Sequence, residues 1–290
     1  MNTESSPRSG VLCAVVSAAC FATIPLVSNI VYADGVRPIT LLFFRFAIAS
    51  ICLSGWAIAR RQRFPSQRNL LGSILLGVGF VLQSFCFFSS LLIISGSSAT
   101  ILLYLYPAFV VCILLLRGQS IDRPKAIALV LSLVGCYLVI NPAIAAEGNR
   151  AWLGIGFAVG AAIANALYIV LSEPLLNREE SIPAVAIMSG VAAFIYGTLN
   201  LATDFKFPSM VEGWLALAWI GVVCAALAIG LLFESVKLIG AANSAILSTL
   251  EPVMTLAIAV GVLGEAVTIE KLVGGAMIVG AAILIARRQC

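Results

Sequence analysis

The sequence predicts an all-α integral membrane protein of ten transmembrane helices in two inverted five-helix repeats, with both termini cytoplasmic. Three observations carry this expectation. First, 61% of the 290 residues are hydrophobic and only 10% are charged, against about 25% charged in soluble domains, and the mean hydropathy is +1.10. Second, apolar windows of about 20 residues, the length a helix needs to cross a bilayer, recur from end to end. They lack the period-two alternation of a transmembrane barrel. Third, the chain matches itself when slid by 145 positions, with a proline in mid-window in both copies.

Taken in order, the windows are 10 to 31, 38 to 59, 70 to 92, 97 to 116, 124 to 141, 151 to 172, 182 to 202, 213 to 236, 242 to 262 and 269 to 286. The first follows Arg8 as a secretory signal would, but it is long and nine comparable windows come after it, so it reads as a retained helix. Arg60-Arg61-Gln62-Arg63 ends the second, Asp122-Arg123-Pro124 opens the fifth and Asn141-Pro142 closes it, the usual charge and proline punctuation. In the sixth, the ladders Gly156-x-x-x-Gly160 and Ala158-x-x-x-Ala162 predict close helix packing. No break is long enough for a soluble domain, so any site must lie within the bundle.

Lys and Arg fall unevenly between alternate loops. With the N-terminus inside, only Arg37, Arg150, Lys206 and Lys271 of the 17 lie outside, Arg45 is within the membrane, and the rest face the cytoplasm, as the positive-inside rule requires. The repeat appears in detail as Leu82, Phe88, Ser90, Ile101, Leu102, Leu105 and Pro107 matching Leu227, Phe233, Ser235, Ile246, Leu247, Leu250 and Pro252. We divide the chain into repeats 1–145 and 146–290. Each has an odd number of spans, so the second enters the membrane from the opposite side, the arrangement that lets a central site open alternately to either face.

Asn243 to Glu265 is the most informative stretch. Glu251 and Pro252 sit near the middle of an apolar window, where a charge and a missing backbone donor are both costly. Ser244, Ser248, Glu251 and Thr255 recur at helical spacing as one polar stripe, which lipid cannot satisfy. Arg45, Gln83, Tyr104, Tyr106, Asn165 and Tyr168 are further polar or amphipathic groups at mid-span depth. Arg45 either holds helices together or anchors a carboxylate or phosphate of the cargo. On a continuous helix Tyr104 and Tyr106 would stand roughly 200° apart, so only one would face the centre fully. Pro107 and Pro252 are candidate kinks. Glu234 and Glu265 read as interface or capping residues near helix ends, and Glu173, Glu179 and Glu180 as a solvated face.

These residues resemble the drug/metabolite transporter superfamily, in its ten-helix EamA-type branch. The resemblance is most specific at Leu250-Glu251-Pro252 and Leu263-Gly264-Glu265, and Arg45 matches the arginine common in the second span. Tyr106 before Pro107 and Gln119-Ser120 depart from the pattern, which concentrates the acidic chemistry in the second half. The resemblance implies a transporter of small metabolites, without naming a cargo.

The expectation is therefore a secondary transporter, an exporter of small polar or amphipathic metabolites such as amino acids, working by alternating access around a cavity between the repeats. Its candidate cavity residues are Glu251, Ser248, Ser244, Arg45, Gln83, Tyr104, Tyr106, Asn165 and Tyr168, with Pro107 and Pro252 as hinges. The alternatives are an exchanger of nucleotide sugars or other phosphorylated metabolites and, further off, a membrane enzyme. The enzyme would need convergent nucleophiles or metal ligands, but the chain has no histidine and no Gly-x-Ser-x-Gly elbow. The lack of a P-loop argues against ATP hydrolysis. No cofactor or metal is expected. The eight cysteines, without Cys-x-x-Cys spacing, read as small hydrophobes. Expected partners are the cargo, a proton or counter-metabolite, and the lipid of a bacterial inner membrane, with monomer and homodimer both open. No basic run interleaved with aromatics suggests nucleic acid.

Overall fold

Each apolar window is helical in the computed structural model, which describes residues 7–91, 93–94, 96–140, 151–176, 181–202, 205–263 and 268–289. The helices are α1 (Pro7–Ala22), α2 (Ile24–Ala33), α3 (Pro38–Ala59), α4 (Gln67–Leu91), α5 (Gly96–Leu103), α6 (Tyr106–Leu116), α7 (Arg123–Ile140), α8 (Ala151–Leu176), α9 (Ser181–Leu201), α10 (Val211–Gly221), α11 (Ala228–Ile239), α12 (Ala241–Ser248), α13 (Leu250–Leu263) and α14 (Ile269–Gln289). A π-helical turn, Val222–Leu227, joins α10 to α11. No strand occurs among the described residues. Among the described residues eight stretches are long and apolar enough to cross a membrane, and the chain is a multi-pass membrane protein. The windows 97 to 116 and 124 to 141 are not among the eight. The first is split into α5 and α6, only 8 and 11 residues long, or about 12 and 17 Å, each too short to span alone. Glu179, Glu180, Glu265, Cys290 and the Asn141-Pro142 stop lie outside the described residues.

Four apolar windows are interrupted, and local chemistry explains three of the breaks. Pro25 lies in the first turn of α2, Pro107 in that of α6 and Pro252 in that of α13. A proline there forfeits no intrahelical bond, because first-turn N–H groups have no partner in any case. The expected kinks at Pro107 and Pro252 are short interruptions of the helix just before each proline, at Tyr104–Leu105 and at Thr249. The two coincide when the halves are slid by 145. The fourth interruption is the π-helical turn, which no proline marks.

Packing follows the repeat. α3 lies along α9 and α7 along α14, while α1 packs on α11 as α8 packs on α4; α6 meets α8 as α13 meets α1. Each pair has its counterpart when the two halves exchange. Large apolar side chains such as Leu12, Ile51, Phe194 and Leu215 point outward, as a surface solvated by acyl chains requires.

The closest backbone approach is between α7 and α14. A β-carbon on Gly135 would lie 2.6 Å from the Gly274 carbonyl oxygen, and one on Gly274 would lie 2.6 Å from that of Gly135. Neither backbone can retreat without moving its helix. Gly135→Ala and Gly274→Ala are expected to destabilise the protein by about 1–3 kcal/mol each, read as a lower thermal midpoint in detergent. Gly156 is the control, with nothing within 4 Å of an added β-carbon. The ladder expected at Gly156 and Gly160 is therefore not a close contact: Gly156 is exposed, whereas Ala158 and Ala162, on the opposite face of α8, are fully buried.

Candidate functional site

The breaks in the helices surround a central cavity of about 250 Å³. Eight of the nine candidate residues line it. α3 contributes Arg45, α4 Gln83, and α8 Asn165 and Tyr168, while the paired breaks contribute Tyr104 and Tyr106 on one side and Ser248 and Glu251 on the other. Both tyrosines reach the cavity because the chain is not helical between Leu103 and Tyr106, so the angular separation of a continuous helix does not apply.

Ser244 is not brought to the cavity. It is fully buried, with its hydroxyl 2.8 Å from that of Ser235, and it accepts the Ser248 hydroxyl on its carbonyl at 2.9 Å. Thr255 donates to the Ala22 carbonyl at 3.4 Å. The break at Thr249 divides the expected stripe, leaving Ser244 as packing for α12 and Glu251 in the first turn of α13, where the positive end of the helix favours a carboxylate. Every residue of α12 is buried.

Each polar group sits among definite partners. The Tyr104 hydroxyl donates toward the Glu251 carboxyl, and the Tyr106 hydroxyl donates to the Ala245 carbonyl at 3.2 Å. Arg45 and Glu251 are close enough to interact electrostatically across the cavity. From the guanidinium of Arg45, Nη2 donates to the Cys224 carbonyl at 3.3 Å, while Nε is buried without a partner. That carbonyl belongs to the π-helical turn, a local widening of the helix frequent at functional sites. Asn165 lines the same cavity with only 9% of the residue exposed. A chain of edge-to-face and stacked rings, Tyr196 on Phe46, Phe46 on Phe80, Phe80 on Tyr168 and Tyr168 on Phe233, forms the wall behind them.

At one end of the bundle Asp34, just past α2, ties two halves of interrupted helices together. Its carboxylate accepts from the Ser209 hydroxyl and, at 3.0 Å, from the Met210 N–H that leads into α10. Gly213 leaves room for this, since a β-carbon there would collide with the carboxylate. The Ser209 and Met210 donors hold the Asp34 carboxyl below the usual carboxylate range. A lowered value means that the contact contributes stability above about pH 3.9 and loses it as pH falls through the folded-state value. Asp34→Ala is expected to speed amide exchange at Met210 and Val211 near neutral pH, and its difference from wild type should disappear in acid.

Sequence reasoning missed several lining residues. Pro25 carried the same signal as Pro107 and Pro252, a proline inside an apolar window, and Ile24 and Pro25 both line the cavity. Phe80, Phe87 and Phe88 also line it, but aromatics in apolar windows carry no such signal. The Cys224 carbonyl is a backbone group, invisible in residue types.

Among known proteins, the profile of the EamA-like transporter family matches residues 8–141 and again 152–287. A relative from Archaeoglobus fulgidus, named an uncharacterized transporter, is 28% identical over 284 residues, covering 97% of this chain and 97% of the relative. One solved crystal structure superposes with a TM-score of 0.82 at 19% identity, covering 96% of this chain and 97% of that one. That last likeness is one of fold.

Proposed function

The chain belongs to the EamA-like transporter family, and on that premise we propose that it exports a small polar or amphipathic metabolite, such as an amino acid, from the cytoplasm. In this reading the repeats 1–145 and 146–290 are inverted, both termini are cytoplasmic, and rocking of one repeat against the other exposes the cavity alternately to each side of a bacterial inner membrane. The observation that supports the cargo class is the pairing, in one aromatic-walled cavity, of a guanidinium and a carboxyl. A zwitterion offers each of these its opposite charge and offers the rings an apolar body. Family membership indicates a transporter rather than an enzyme.

Energy would come from the cargo gradient, a proton or a counter-metabolite. The Arg45 guanidinium on the cavity also favours a second reading, exchange of phosphorylated metabolites, because a planar fork suits phosphate as well as carboxylate. Purified protein in sealed vesicles distinguishes the two. Uptake or efflux of amino acids, but not of sugar phosphates or nucleotide sugars, supports the first. No movement of any of them under proton, cargo or exchange gradients would remove the support for both.

A further inference from the structure

Three helices end in the same hydrogen-bonded turn, and one carries an unsuitable residue for it. After α2, Gly35 N–H bonds to the Tyr32 carbonyl and Val36 N–H to that of Val31; after α6, Gly118 N–H bonds to Leu115 and Gln119 N–H to Leu114. After α3, Arg61 N–H bonds to Ile58 at 3.0 Å and Gln62 N–H to Ala57 at 2.9 Å. All three turns need a left-handed residue, with φ of 80° at Gly35, 78° at Gly118 and 53° at Arg61. Glycine occupies this position at little cost. A residue with a β-carbon there lowers the folding equilibrium roughly fivefold or more. Arg61 is the non-glycine residue with positive φ among the described residues. Strain of this kind marks positions where the side chain is used.

The surroundings indicate the use. α3 spans a membrane length, so its end lies where hydrocarbon meets water. Arg60, Arg61 and Arg63 are all exposed, and their guanidinium groups have no hydrogen-bond or ion-pair partner among the described residues. One turn earlier, exposed Trp56 carries the Arg60 guanidinium 5.1 Å from its ring centroid. Trp56 and the exposed Phe64 are the kind of aromatic that sits at headgroup level. Free guanidinium groups prefer phosphate oxygens, and clustered arginines beside a transmembrane end attract anionic lipid. The apolar neighbours select a phosphate attached to acyl chains over one free in water.

We propose that the turn Arg60-Arg61-Gln62-Arg63, with Trp56, binds the phosphodiester headgroup of an anionic phospholipid, and that Arg61 keeps its left-handed conformation because its charge is needed there. This does not depend on what the protein transports.

The test compares thermal unfolding midpoints in detergent micelles doped with phosphatidylglycerol or phosphatidylcholine. With phosphatidylcholine, Arg61→Gly should unfold at a higher temperature than wild type, because strain is relieved. Phosphatidylglycerol should raise the wild-type midpoint more than that of Arg61→Gly, with about a fivefold loss of lipid affinity per arginine removed. The double variant Arg60→Gln/Arg63→Gln, which leaves the turn intact, should lose most of the remaining response. The response should also vanish at roughly 1 M salt, where screening acts within about 3 Å. Equal phosphatidylglycerol responses in all three proteins would overturn the proposal, as would an equal rise with phosphatidylcholine or inorganic phosphate. So would an Arg61→Gly protein less stable than wild type with phosphatidylcholine.

Discussion

Glu251→Gln is expected to abolish uphill, gradient-driven transport while leaving exchange of cargo across the membrane intact. An ionised carboxylate at bilayer depth is unfavourable by about 2.5 kcal/mol or more, so Glu251 must be protonated, paired or hydrated in each state of the cycle. Its place in the first turn of α13, on the cavity and facing the Tyr104 hydroxyl, would allow all three in turn in the alternating-access cycle proposed above. Glutamine has nearly the same shape and can still accept from Tyr104, so folding should survive. What it cannot do is release a proton. Accumulation against a gradient should therefore fall to simple equilibration, measured in vesicles with an imposed pH difference, while counterflow of labelled cargo continues. If Glu251 instead pairs with a cationic group of the cargo, counterflow and affinity will fall together with accumulation. Transport that matched wild type in rate, affinity and pH dependence would sink the functional role altogether.

Substitution of Arg45 should produce the second large effect, in cargo affinity. A hydrogen bond to a charged partner contributes about 1.5–3 kcal/mol, so Arg45→Met is expected to weaken binding of a carboxylate-bearing cargo about tenfold to more than a hundredfold. Arg45→Lys keeps the charge but loses the planar fork. It should hold the thermal midpoint near that of wild type and weaken binding by about tenfold, toward the low end of the same range. Affinity is read from cargo-induced thermal shifts, since a ligand that binds only the folded state raises the midpoint by mass action. The competing role, in which Arg45 merely holds α3 to the π-helical turn, makes the opposite pattern. Lysine would then leave affinity unchanged, and methionine would lower stability without altering affinity in the protein that remains folded.

Much of the bundle was legible because its signals are local. The window 38 to 59 became α3, Pro38–Ala59, since an arginine pair and a proline bound a run that is apolar but for Arg45 and a few small polar residues. The repeat was legible through Pro107 and Pro252, and the breaks that these residues start coincide at the same slide of 145. Candidate cavity residues were legible for a related reason: a polar side chain at bilayer depth must find protein or water, so Glu251, Arg45, Gln83 and Asn165 could be singled out by depth alone. Their convergence on one cavity required the packing of α3, α4 and α8 against the broken helices.

Where reasoning from periodicity went astray, it assumed that each apolar window was one continuous helix. That assumption set Tyr104 against Tyr106 and joined Ser244 to Glu251, whereas the helices are interrupted at Tyr104–Leu105 and Thr249. Glycine spacing likewise marked Gly156 and Gly160, but the backbones meet at Gly135 and Gly274, because which face of a helix meets a neighbour is decided by that neighbour. By itself the sequence determined an all-helical, multi-pass membrane protein with an internal repeat, since hydrophobic length and backbone satisfaction in lipid are properties of each segment alone. Only the tertiary structure decided where the helices break without a proline, which carbonyl Arg45 meets and which polar residues share a cavity, because each of these depends on what a distant segment places opposite.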